Sequence, residues 1–215
     1  ALHRLHLWDL RRFPAVATFA AKLRSMDCDA SRVKLVEKCI ENYSRQNFGS
    51  LPMATLHGDF NDANILLHNQ EWGILDVGDC VHSWRVNDVA IGAAYVMVNL
   101  CTPENERTGF SDKGDHVAVQ GAQKFVEGFL ERSTLSKDEK RALPHLIAAR
   151  LATSFTLGWY SYRESLAAQP DMPKQRRDYL LHHALPAATA LDVCLEATSL
   201  VADWPTTTPT RDPRR

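Results

Sequence analysis

Two polar clusters on either side of a candidate hairpin constrain this chain more than any other feature. The first is His57-Gly58-Asp59-Phe60-Asn61-Asp62-Ala63-Asn64 and the second is Asp76-Val77-Gly78-Asp79. Between them, Asn64–His68 and Trp72–Asp76 are short apolar runs joined by the polar turn Asn69-Gln70-Glu71. Two such runs around a polar turn read as antiparallel strands, although the Asn-Gly pair of the strongest hairpin signal is missing. A hairpin returns the chain to the end it left. Asn64, at the mouth of the first strand, is therefore expected beside Asp76, at the end of the second. Asp59 lies five residues before Asn64, in the loop that leads in.

The rest of the chain carries a helical period. Val16, Phe19, Ala20 and Leu23 keep the spacing of one buried stripe, with Pro14 expected at the first helical position. Val33, Val36, Ile40 and Tyr43 continue a second helix that starts near Asp29 or Ser31 and ends about Gln46. Val89 to Leu100 is nearly all apolar, the pattern of a helix buried all round. Ala118, Ala122, Phe125 and Phe129 line another face, and Ser136 and Glu139 have capping-box spacing. His145–Glu164 and Lys174–Trp204 are long helical stretches, with a break or kink expected at Pro144 and a kink at Pro186. The expected fold class is mainly α with one small β-hairpin (α+β), a domain over residues 1–204 and a proline-rich, disordered tail over 205–215.

Composition removes several classes of function. The 215 residues are 45% hydrophobic and 24% charged, enough for one sizeable core. A net charge of −1 argues against nucleic acid or an anionic membrane as partner, since both are bound by neutralising phosphates. The five cysteines are odd in number and none are in a CxxC pair, which points to a reducing, cytoplasmic setting without disulfides or zinc. No apolar run reaches the 18 residues of a membrane span, and the amino terminus has no signal-peptide core.

A carboxylate, an amide oxygen and a second carboxylate around one point suit phosphoryl transfer. One carboxylate orients the acceptor hydroxyl and takes its proton, while the other two groups hold Mg²⁺ against nucleotide phosphates. His-Gly-Asp-x-x-x-x-Asn, followed by a hairpin and Asp-x-Gly-Asp, resembles the catalytic core of the aminoglycoside phosphotransferase and choline-kinase-like family, which has a protein-kinase-like fold. More narrowly, HGDFNDANILL, ILDVGD, NDVAIGAAYVM and the upstream HLWDLRRFP resemble that family's hydroxylysine kinases, which phosphorylate the side-chain hydroxyl of 5-hydroxylysine with GTP as donor. The resemblance implies Asp59 as the catalytic residue, and Asn64 and Asp76 as ligands of Mg²⁺ and, through it, of GTP or ATP. It makes His57 a brace for the loop and Asp88 an acceptor for the loop's backbone N–H groups, with helix capping as the plainer role for Asp88. Asp79 either orients Asp76 or caps the next helix.

The acceptor expected from this resemblance is a small amine-bearing alcohol. Asp62, three residues beyond Asp59, and Glu164, at the end of a long helix, are candidates for its ammonium groups, and Arg150 or Arg163 for a carboxylate. All four otherwise read as solvated surface charges. Trp84 and Trp159 read as core or groove residues, and the His182-His183 pair as surface rather than metal-binding, since neighbouring helical positions point apart. No GxGxxG loop, Walker motif or strand-rich lobe with a phosphate-pairing Lys precedes Asp59, and the chain starts without Met. It therefore reads as a kinase C-terminal lobe that needs an N-terminal lobe for full activity. An aminoglycoside, choline or homoserine-type kinase, and a non-catalytic pseudokinase, are the competing readings.

Overall fold

Residues 8–102 and 117–200 are described by a computed structural model, in which helices dominate and four short strands lie together near the middle of the chain. The expected tail, 205–215, lies outside the described residues. The helices are α1 (Val16–Leu23), α2 (Ala30–Ser44), α3 (Asn87–Leu100), α4 (Val117–Leu130), α5 (Lys137–Ala168), α6 (Lys174–Leu181) and α7 (Ala184–Leu200).

Side-chain capping sets the start of two of them. Asp29 caps α2 by accepting from the backbone N–H groups of Ser31 and Arg32. Ser136 and Glu139 form a reciprocal capping box at the start of α5. Three prolines differ from expectation. Pro14 lies inside a 3-10 turn, Leu10–Ala15, that leads into α1 rather than heading the helix itself. Pro144 is carried within α5, which runs unbroken from Lys137 to Ala168, because a proline removes a single helical N–H and the surrounding core fixes the remainder. Pro186 does not kink one long helix. The chain breaks at His182–His183, and Pro186 sits in the first turn of α7, where a missing N–H leaves nothing unpaired.

The core forms around α5, which is buried over Ala142–Pro144 and Leu146–Thr156 and packs on α1, α2, α3 and α7. Phe13, Leu23, Ile91, Met97, Leu146, Leu151, Phe155 and Leu191 are among its fully buried side chains. No residue of α3 from Val89 to Leu100 is exposed. Gly92 allows its close approach to α4, since a Cβ there would lie 2.4 Å from the Phe125 ring.

The strands form two separate antiparallel pairs. β2 (Ile65–His68) and β3 (Glu71–Ile74) make the expected hairpin, with Ile65 opposite Ile74 and His68 opposite Glu71. Asn69 and Gln70 both have positive φ (47° and 67°), the conformation two-residue hairpin loops need. A second pair was not expected from sequence: β1 (Met53–Leu56) and β4 (Val81–Trp84) pair with Leu56 opposite Val81. The hairpin is thus inserted between two strands that are themselves paired. That topology forces the connections 57–64 and 75–80 to lie side by side.

Arg85, just after β4, ties the sheets to the helices. Its Nε and Nη2 donate to the two carboxylate oxygens of Glu139, at 3.0 and 2.6 Å, and the Glu139 side chain has no exposed surface. Burial by itself would push Glu139 up. The Arg85 guanidinium and the Ser136 backbone and hydroxyl outweigh it and hold the carboxyl below its ordinary value. A depressed carboxylate stabilises the fold above its unfolded pKa, and that contribution is lost as pH falls through the folded value. Glu139→Gln should therefore lower stability at pH 7 by about 1–3 kcal/mol, since the Arg85 side chain is 41% exposed and water takes up part of the lost pairing. The gap to wild type should narrow below about pH 4. Thermal melts of both proteins across pH check this, and a gap that stays constant down to pH 3 would refute it.

Candidate active site

The two adjacent connections are stitched together by backbone groups. Leu75 N–H donates to the Asn64 carbonyl at 2.9 Å, so Asn64 and the residue before Asp76 are paired at the open end of the hairpin. His57 Nε2 lies 2.7 Å from the Leu75 carbonyl, which can only accept, so this nitrogen carries the hydrogen. Its Nδ1 then accepts from Asp59 N–H at 3.3 Å. His57 bridges the two loops and is not available as a base.

Asp88, in the first turn of α3, holds the first loop from below. Its Oδ2 accepts from His57 N–H at 2.8 Å and its Oδ1 from Gly58 N–H at 3.0 Å. Gly58 has φ +84°, and a Cβ on it would lie 2.6 Å from the Asp79 carbonyl. Only glycine fits both the backbone angle and this contact between the loops. Asp79 thus meets the first loop through its main chain.

Asp59 is the most heavily bonded group of the site. Its Oδ2 accepts from Asn61 Nδ2 at 2.9 Å and, more weakly, from Asn64 Nδ2 at 3.3 Å, while Asn64 Nδ2 also donates to the Asp59 carbonyl at 2.9 Å. Its Oδ1 accepts from Arg150 Nη2 at 2.5 Å. Asn61 is buried, and its own oxygen accepts from the backbone of Ala63 and Asn64, closing the short 3-10 turn Asp62–Asn64. That turn fixes the five-residue path from Asp59 to Asn64. Because the amide nitrogen of Asn64 faces Asp59, its oxygen stands outside these bonds, and the oxygen is the atom that can ligate a cation.

Asp76 has a left-handed backbone (φ 55°, ψ 56°), a conformation Asp tolerates better than most residues. It is exposed at the end of β3, with Oδ1 3.3 Å from where a Cβ on Gly78 would stand. Among the described residues, no three His, Cys, Asp or Glu side chains are grouped to hold a metal by themselves. Asn64 and Asp76 offer oxygen donors only, the set that suits a hard cation keeping water and phosphate oxygens as its other ligands.

Asp62 is exposed on the same turn, and its charge reaches His183 at the α6–α7 junction. Burial and the neighbouring His182 push His183 down, with Asp62 opposing them. Both histidines keep solvent-exposed surface, so the burial of the His183 ring is partial. The structure does not bring Glu164 to this place. It is exposed, 14 residues past Arg150, about 21 Å along the axis of α5. That end of α5 faces a different region: Arg163 lies 3.7 Å from Asp27, and Trp159 Nε1 donates to the Met26 carbonyl at 3.3 Å. Trp84 packs against Phe48, ring centroids 5.0 Å apart. Arg150 is not a surface charge. It is 1% exposed and turned onto Asp59. Sequence reasoning missed this pairing and the role of Asn61. The available signal was an arginine inside the apolar run Leu146-Ile147-Ala148-Ala149-Arg150-Leu151-Ala152, which demands a partner.

Curated relatives share this sequence at low identity. The chain is 29% identical over 175 residues to hydroxylysine kinase of Bos taurus, covering 75% of this chain and 42% of that protein. It is 26% identical over 168 residues to hydroxylysine kinase of Mus musculus, covering 72% and 40%. The chain therefore spans about two-fifths of the length of these relatives. Among solved structures, amicoumacin kinase hAmiN, in complex with AMP-PNP, Ca²⁺ and Ami, matches at a TM-score of 0.44 and 13% identity, over 85% of this chain and 60% of that one. No helix among the described residues is long and apolar enough to cross a membrane. The phosphotransferase enzyme family (APH) matches residues 2–120, more than half of the chain and the whole of both loops, and the chain belongs to that family.

Proposed function

We propose that this chain is the C-terminal lobe of a small-molecule kinase that phosphorylates the side-chain hydroxyl of 5-hydroxylysine. The observation that carries the reading is the juxtaposition of the 57–64 and 75–80 connections, which puts Asp59 and Asn64 on one and Asp76 on the other. Family membership supports phosphoryl transfer, and the hydroxylysine kinases among its relatives support the acceptor.

In this reading the acceptor hydroxyl donates to Asp59. Its oxygen attacks the γ-phosphorus of GTP, the bond from that phosphorus to the β–γ bridging oxygen breaks, GDP leaves, and the hydroxyl proton passes to the Asp59 carboxylate. Asn64 and Asp76 are the residues that would hold Mg²⁺. When bound, the cation supplies charge stabilisation on the phosphate oxygens. Asp88 and His57 keep the loop from shifting, which matters because transfer depends on alignment more than on covalent chemistry. Asp62 is the carboxylate placed to meet a substrate ammonium, and Glu164 is too distant to share it.

The hairpin exposes much of its apolar surface. Leu66, Leu67, Trp72, Ile74, Leu75 and Val77 are between 44% and 73% exposed, which leaves apolar surface on both faces of the element that carries the site. An N-terminal lobe and the base of the nucleotide would cover it. The test is a substrate panel on a chain carrying both lobes: 5-hydroxylysine, homoserine, choline and an aminoglycoside, each with GTP and ATP. Phosphorylation of 5-hydroxylysine with GTP at the highest kcat/KM is expected. Preference for choline would overturn the acceptor, because a quaternary ammonium is held by aromatic faces rather than by Asp62. Nucleotide binding without transfer to any of the four would favour a pseudokinase.

A further inference from the structure

Arg150 is a full charge in one of the driest places of the fold. Its guanidinium lies between the rings of Trp8, 4.6 Å from the centroid, and Tyr95, at 5.2 Å. Nη2 donates to Asp59 Oδ1 at 2.5 Å and to the Tyr95 hydroxyl at 3.1 Å, while Nε and Nη1 are buried without hydrogen-bond partners among the described residues. A guanidinium sealed in this way cannot meet a substrate carboxylate, which removes the role expected from sequence. Its charge is balanced by Asp59, 91 residues earlier in the chain.

A carboxylate has about four acceptor positions. On Asp59, Oδ2 receives two donors, Asn61 and Asn64, and Oδ1 receives one, Arg150. The position left for a substrate hydroxyl is therefore on Oδ1. We infer that Arg150 is a positioning residue that aims Asp59 Oδ1 at the acceptor hydroxyl. The inference rests on the proposed catalytic role of Asp59. Without Arg150, the amides still hold Oδ2 but the carboxylate can turn about that anchor. Misplacement on the ångström scale is enough to cost about 10²-fold in rate.

The test is a double-mutant cycle on a chain carrying both lobes, with Arg150→Met, Arg150→Lys, Asp59→Asn and the double variant Asp59→Asn/Arg150→Met. Arg150→Met should lower kcat by about 10²-fold with little change in nucleotide KM. Arg150→Lys keeps the buried charge but not the planar fork, so it should recover part of that loss. It also carries the test if the Met variant does not fold. In the Asp59→Asn background, Arg150→Met should have no further effect on kcat, because groups acting as one unit are not additive. An equal loss in both backgrounds, an unchanged kcat, or a loss confined to nucleotide KM would overturn the inference. A normal kcat for Asp59→Asn alone would instead overturn the catalytic role of Asp59, so the two failures are distinct.

Discussion

Asp59→Asn, in the active kinase proposed above, should lower kcat by about 10²–10⁴-fold and leave nucleotide affinity unchanged. The amide keeps the shape of the carboxylate but cannot take the proton of the acceptor hydroxyl. The Asp59 carboxylate accepts from Asn61, Asn64 and Arg150, and Asn64 faces it with the amide nitrogen, which leaves the Asn64 oxygen free of the substitution. The fold should survive with reduced stability. Arg150 is buried and loses the carboxylate that balances it, yet the new amide oxygen still accepts one hydrogen bond, and residue 59 keeps 27% of its side-chain surface in water. A cost of about 1–3 kcal/mol follows, at roughly 2–4 °C in Tm for each kcal/mol. Steady-state kinetics, a nucleotide titration and a thermal melt check the three parts. An unchanged kcat would remove Asp59 from the chemistry.

How much of this was legible in the sequence depends on the range of the interaction. The hairpin, the α5 capping box and the buried faces of α1, α2 and α3 follow from spacing within a dozen residues, and the periodic pattern contains them. β1 and β4 were missed because each is four residues long and neither has a hairpin turn to announce it. Their pairing, Leu56 with Val81, spans the inserted hairpin. The prolines misled for a related reason. Pro144 would break an isolated helix, but α5 is held on several sides by other helices, and tertiary packing overrides local preference. In the site, the loop residues could be named from a motif, whereas Arg150 could not be matched to Asp59. An arginine in an apolar helix announces only that a partner exists. Which carboxylate it finds is decided by how α5 packs beneath the loop. Glu164 is the converse case, for a helix long enough to border a cleft also carries its far end along the axis, here about 21 Å beyond Arg150.

Asp76→Ala should reduce kcat by roughly 10²–10³-fold at millimolar Mg²⁺, the rate equivalent of the several kcal/mol a bound cation contributes to such a transfer. Unlike Asp59→Asn, it should also weaken nucleotide binding in a Mg²⁺-dependent manner, so that raising Mg²⁺ recovers part of the loss. Asn64→Ala should act in the same direction with an added defect. Its amide nitrogen holds both the Asp59 carbonyl and Oδ2, so its removal loosens the Asp59 carboxylate as well. The fold should tolerate Asp76→Ala better than Asp59→Asn. Asp76 is exposed, is not the partner of a buried charge, and is only strained further by placing alanine at φ 55°. Mg²⁺ titrations of kcat and of nucleotide Kd, run side by side on the three variants, separate these effects. If Asp76→Ala shifts neither Mg²⁺ dependence, the cation is not held at the end of β3, and the kinase reading of the two loops loses its metal.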